Sequence, residues 1–231
     1  MNGILDARRA PVKEPQSVGL TTQVTIGKLP SVMNDTMKTK LIKATISAIE
    51  SAGGVRGVSL RGVAKAAGCS HVNAYHYAPR GLPDLLWLAY VEALNTFSDE
   101  LSRSSELRRP GESFGEAIAR AGARFALERT GLYRLLWFED IDGAASQTIP
   151  SADALAAIER AKTRFAEAAR EAFAADGFRG SEEEFGRRLE LFFAFLQGEL
   201  ALLLSGRAGL RGAEAIDGIG GRAALLWGLL V

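Results

Sequence analysis

The stretch Ser59–Arg80, SLRGVAKAAGCSHVNAYHYAPR, constrains this chain more than any other. Leu60, Val63, Ala64 and Ala67 recur at three- and four-residue steps, so they form one buried stripe on a short helix. Ser59 stands where an N-cap hydroxyl belongs, Gly68 supplies a turn, and Ser70 caps a second short helix. Alanines at 64, 66 and 67 let the two helices approach closely, and two short helices around a glycine turn make a helix-turn-helix. The second helix runs to Pro79 and carries both histidines of the chain, His71 and His76, with Asn73, Tyr75 and Tyr77. Such groups on a helix too small to be a core element are there to be shown to a partner.

Charge suggests which partner. The net charge of +1 is unevenly divided. From Met37 to Pro83 there are seven basic residues (Lys38, Lys40, Lys43, Arg56, Arg61, Lys65, Arg80) against Glu50 alone. From Asp84 onward 17 basic residues face 23 acidic ones. A +6 head on a −6 body is the pattern of a polyanion-binding segment joined to an acidic domain. The apolar fraction, 47%, is that of a globular protein, and 231 residues can bury a sizeable core. One cysteine, Cys69, fits a reducing compartment and leaves no disulfide framework. No apolar run follows a basic start, so no signal peptide is expected. The most apolar segment, Leu191–Leu204, is broken by Gln197 and Glu199 and falls short of the ~20 residues a membrane span needs. The expected location is cytoplasmic.

The rest of the chain reads as helix. Residues 1–36 mix Pro, Gly and polar groups without period and are expected to be a disordered tail, VTI at 24–26 included. A first helix is expected from Asp35 or Thr36 to Gly53-Gly54, with Leu41, Ala44, Thr45, Ala48, Ile49 and Ala52 on one face. Lys38, Lys40 and Lys43 then sit near its start, against the macrodipole, which suits an external anion. Pro83 opens a long helix to about Leu107, and further helices are expected over Phe114–Arg129, Gly131–Phe138, Ser151–Ala175, Ser181–Leu204 and Ala213–Leu230. No segment shows strand period. The expectation is an all-α chain of about nine helices, a three-helix head over residues 37–84 on a larger body over 85–231.

The segment LIKATISAIESAGGVRGVSLRGVAKAAGCSHVNAYHY, followed by LPDLLWLA, resembles the DNA-binding domain of the tetracycline-repressor (TetR) family. The resemblance spans roughly residues 37–94 and rests on the order and spacing of its pieces. It departs at Ala78, where the family has a bulkier residue, and at Pro79-Arg80-Gly81, which replaces a Lys-rich connection. The resemblance implies a homodimer joined through the last two helices, with its third helices in successive major grooves of a pseudo-palindromic operator. It also implies a small-molecule effector bound in the body.

Roles follow from side-chain chemistry. Lys38, Lys40, Lys43 and Arg61 suit phosphates, as do Ser59 and Ser70 at helix starts. Asn73 matches adenine, His71 guanine, and Val72 a thymine methyl group, while Tyr75, Tyr77 and Arg80 suit the phosphate edge. Each could instead be a solvated surface group. Trp87, Phe114, Phe125, Tyr133, Trp137, Phe165 and Phe193, with Gln197 to orient a ligand, are candidates to line a cavity or to be plain core. Gly218, Gly220, Gly221 and Gly228 suit close approach of helices in a dimer, or a frayed terminus. Cys69, His71 and His76 lack a fourth ligand, and the two histidines lie about 140° apart around a helix, so no metal or cofactor is expected. The body contains no histidine and no paired carboxylates on one face, so the chain is not read as an enzyme. A protein-interaction module with a basic head that binds nucleic acid without sequence preference is the competing reading.

Overall fold

The structure, a computed structural model, describes residues 31–141, 152–209 and 211–231, with side chains from Met37 onward. Among the described residues there are nine helices and no strand: α1 Ser31–Ala52, α2 Leu60–Ala67, α3 His71–Ala74, α4 Leu82–Glu106, α5 Phe114–Glu128, α6 Thr130–Trp137, α7 Ala152–Ala175, α8 Glu182–Leu204 and α9 Gly212–Leu230. The all-α expectation holds.

Two boundaries differ from expectation. Helix α1 begins at Ser31, so Asp35 and Thr36 lie inside it. Nothing from Ser31 to Thr36 is Gly or Pro, and extending an existing helix adds a hydrogen bond for each residue fixed. Lys38, Lys40 and Lys43 are therefore mid-helix, beyond the reach of the N-terminal dipole. Residues 1–30, with the VTI segment, lie outside the described residues, as does most of the loop expected over Glu139–Pro150. Helix α3 is only four residues long. Beyond Ala74 the chain keeps a tighter course, with Tyr75, His76 and Tyr77 donating to carbonyls three residues back. Aromatic and histidine side chains are modest helix formers, and Pro79 pushes its predecessor out of helical backbone, so the last turn tightens and stops.

The head closes around Leu41, Val63, Ala64, Ala67, Ala74, Ala78 and Leu85, all buried. Ser59 accepts a hydrogen bond from the Gly62 amide at 3.1 Å, and Ser70 one from the Asn73 amide at 3.1 Å. Each cap is worth about 1 kcal/mol. Gly68, in the left-handed region at φ 77°, ends α2, with Cys69 N–H donating to the Ala64 carbonyl and Gly68 N–H to that of Lys65. Ala78, where the resemblance departs from the family pattern, is fully buried in this core.

The body is packed on α5, most of whose residues are buried. Trp227 of α9 is its hub, with ring centroids of Phe114, Phe173 and Phe192 at 5.1, 4.4 and 5.3 Å. Its indole Nε1 donates to Asp176 at 2.7 Å, so its polar edge is satisfied. Ser181 caps α8 by accepting from the Glu184 amide at 3.2 Å, while the Glu184 carboxylate turns to Arg188 instead of closing a capping box. Head and body meet where α1 and α6 cross: Ile49 belongs to the body core, and a Cβ on Gly131 would lie 2.4 Å from the Ile49 carbonyl oxygen. Arg134 Nη1 donates to the Gly53 carbonyl at 3.3 Å.

Candidate nucleic-acid interface and ligand cavity

The α2–α3 unit presents one exposed surface. His71, Val72 and Asn73 are all exposed, and Val72 is 63% accessible. An apolar β-branched side chain so exposed, between two hydrogen-bonding groups, is what base edges would meet. Ala74, on the opposite side of the turn, is fully buried and fixes which way the others point. His76 is also exposed, and Cys69 and Tyr77 are half-buried against the head core. Tyr75 lies over Gly81, where an added Cβ would sit 3.5 Å from its ring.

The head also exposes its cations. Lys38, Lys40, Lys43, Arg56, Arg61 and Lys65 are exposed, and among the described residues none has an acidic partner within ion-pair distance. Arg80 is different. Its backbone N–H donates to Asp84 Oδ2 at 2.8 Å and its Nε to Oδ1 at 2.6 Å, which commits one edge of the guanidinium to the start of α4. Ser59 and Ser70 use their oxygens as acceptors in the caps, leaving each O–H free to donate outward.

The body holds a cavity of about 690 Å³ between α4, α5, α6, α7 and α8. Of the candidates named from the sequence, Phe114, Trp137, Phe165, Phe193 and Gln197 line it. Trp87, Phe125 and Tyr133 do not: Trp87 meets Tyr90, which does line it, edge-on at 5.3 Å, and Phe125 lies edge-on to Phe97 at 5.0 Å. Tyr133 stands behind the wall, its hydroxyl donating to Gln197 Oε1 at 2.8 Å. Burial raises the Tyr133 hydroxyl well above the ordinary phenol range, so it stays a neutral donor. Ser98, Ser102 and Ser105 of α4 reach the same cavity and were not foreseen. Their spacing of four and three residues, in step with Leu94 and Leu101, was the available signal: polar groups on an inward face. Lys162 and Arg164 at the edge pair with Glu159 and Asp99 at 3.1 and 3.2 Å.

The outer faces of α8 and α9 carry a third feature. Leu191 and Leu202 of α8 are exposed, as are Leu225 and Leu229 of α9 at 74% and 82%. Gly198, Gly221 and Gly228 share these faces with nothing packed against them. Gly220 points inward, where a Cβ would meet the Arg120 side chain at 2.8 Å, so its cause lies within the chain. Arg222 and Glu199 bind the two helices through paired contacts of 2.6 Å. Among the described residues no group of three or more His, Cys, Asp or Glu is placed to hold a metal ion, and no helix is long and apolar enough to cross a membrane.

No family model and no curated protein matches the sequence. Solved structures do match the fold. A protein of unknown function from Rhodococcus sp. RHA1 superposes with a TM-score of 0.65 at 22% identity, over 83% of this chain and 93% of that one. A TetR family transcription regulator from Marinobacter aquaeolei VT8 gives a TM-score of 0.56 at 19% identity, over 84% of this chain and 96% of that one. At such identities the likeness is one of fold: a TetR-type arrangement of helices.

Proposed function

We propose that the chain is a sequence-specific DNA-binding transcriptional regulator, a repressor that leaves its operator when a small molecule enters the body. The observation that carries this reading is the exposed trio His71, Val72 and Asn73, held outward by buried Ala74, in a head whose exposed cations have no acidic partner among the described residues. Phosphate pairing by Lys38, Lys40, Lys43 and Arg61 supplies affinity, and the trio supplies sequence preference. Ser59, Ser70, Tyr75, Tyr77 and the free edge of Arg80 border the phosphates.

Homodimerisation through α8 and α9 sets two such heads one helical turn apart, about 34–36 Å, on a pseudo-palindromic operator. The exposed leucines and open glycines of those helices support it. Regulation is a coupling free energy between sites, typically about 1–3 kcal/mol. Two helices join the cavity to the head. Helix α4 contributes Leu85 to the head core and Phe97 to the cavity, and α6 carries Trp137 at the cavity and Gly131 against α1. A ligand that favours one seating of these helices changes the separation of the two reading surfaces. The protein works where the chromosome is, in the cytoplasm, and no chemistry is assigned to it.

Selection of bound sequences from a random DNA pool tests the proposal. An inverted repeat with half-sites one turn apart is expected. Recovery of no common sequence would sink the proposal in favour of the basic, sequence-indifferent module.

A further inference from the structure

A second concavity, of about 220 Å³, lies between the end of α4 and the start of α5. Ala117, Arg120, Ala121 and Arg124 line it at steps of three and four residues, so they share one face of α5. The two alanines are buried and too small to fill the space between the helices. Arg103 lines the concavity from α4, and Arg109 from the turn that joins α4 to α5. Four arginines thus surround one small hollow, in a body where acidic residues outnumber basic ones. Arg103 stands about 30 Å along the α4 axis from the helix start at Leu82, which sets the hollow far from the DNA-reading surface.

Arg120 is neutralised within the chain. Its Nη2 lies 2.8 Å from Asp217, and its Nε 3.4 Å from Glu116 and 3.7 Å from Glu112. Glu112, the one acid among the described lining residues, also accepts from the Arg109 backbone N–H at 2.9 Å. Arg103, Arg109 and Arg124 are exposed, and among the described residues none has a carboxylate within ion-pair distance. Glu106 and Glu128 stand three and four residues beyond Arg103 and Arg124 on the same helices, yet neither pairs with them. Three unquenched like charges around one hollow repel each other, and an anion between them would relieve that repulsion. Each guanidinium is a planar fork suited to a pair of oxygens. Forks from α4, the turn and α5 suit a tetrahedral group, with oxygens on several sides, better than a flat carboxylate. The volume is below the ~300–1,000 Å³ of sites for drug-sized ligands, so the anion is compact.

We propose that this hollow binds a compact phosphate-type anion of about the size of diphosphate, held by Arg103, Arg109 and Arg124. The site is separate from the aromatic cavity and does not depend on how that cavity is read. Diphosphate is titrated into the full chain by calorimetry at fixed ionic strength, with citrate as the carboxylate comparison. Diphosphate is expected to saturate one site per chain and to bind more tightly than citrate. Arg103→Gln and Arg124→Gln should each weaken it about tenfold or more, as loss of a charge-assisted contact implies. Arg124→Lys, which keeps the charge and loses the fork, should fall between Arg124→Gln and the unaltered chain. Arg160→Gln, at an exposed position of α7 outside the hollow, should change nothing. Circular dichroism confirms that each variant is folded, and the three substituted side chains are all at the surface.

No saturable binding of diphosphate, equal or tighter binding of citrate, or affinity indifferent to both Arg103→Gln and Arg124→Gln would overturn the proposal. So would an equal loss in Arg160→Gln, which would reduce the effect to general charge. A loss in Lys40→Ala with both arginine variants unaffected would overturn it too, by moving the anion to the head.

Discussion

Ala64, Ala67, Ala74 and Ala78 fill the middle of the head, packed among Leu41, Val63 and Leu85. The body is closed instead by rings, with Phe114, Phe173 and Phe192 around Trp227 and with Phe97, Trp137, Phe165 and Phe193 around open space. Small side chains bring helices into near contact and leave few alternative packings, which suits a surface that must hold His71, Val72 and Asn73 in one geometry. Rigid rings meet edge to face and leave gaps between them, which suits a region that admits a guest. On the function proposed above, the contrast separates a reading element from a sensing element in one chain.

Substitutions can break this comparison at several levels. The largest effect is expected for Trp227→Ala, which removes the hub of the body and should cost about 3–5 kcal/mol in equilibrium unfolding. A loss under about 1 kcal/mol would mean that the rings do not hold the body together. Next comes a paired insertion. Ala74→Leu overpacks the head and should cost about 1–3 kcal/mol together with DNA affinity, whereas Ala161→Leu extends into the cavity and should cost less than about 1 kcal/mol. Equal penalties measured by thermal unfolding would erase the distinction between tight head and open body.

Asn73→Ala should leave stability unchanged and cost about 1–3 kcal/mol at a single base position of the operator, read by binding to a panel of single-base variants. A uniform loss across that panel would move Asn73 from the bases to the backbone. The smallest effect is expected for Lys40→Ala. It should weaken every sequence alike and reduce the slope of log affinity against log salt by about one, measured by titration at several salt concentrations.

Much of the fold was legible because periodicity and caps are local signals. Ser59, Ser70 and Ser181 announced helix starts that the structure uses, and Gly53-Gly54 and Gly68 announced ends. The misplaced boundaries lay where local signals were weak. Ser31–Thr36 carries no apolar period, and the short α3 is followed by a tighter turn in which Tyr77 packs against the head core while Tyr75 and His76 stay exposed. The cavity was half legible. Aromatic residues declared that a wall existed, but which rings face inward is decided by how helices cross, so Phe125 and Tyr133 went to the packing behind it. Ser98, Ser102 and Ser105 were overlooked because serine reads as solvent-facing until α7 and α8 cover α4.

The central claim is that the head reads sequence and does not merely attract phosphate. Its most direct measurement compares the affinity for the selected operator with that for the same duplex scrambled, at one fixed salt concentration near physiological. The account predicts a ratio of about 10³ or more, with Asn73→Ala lowering it and Lys40→Ala leaving it nearly unchanged. Equal affinity for the two duplexes would contradict it.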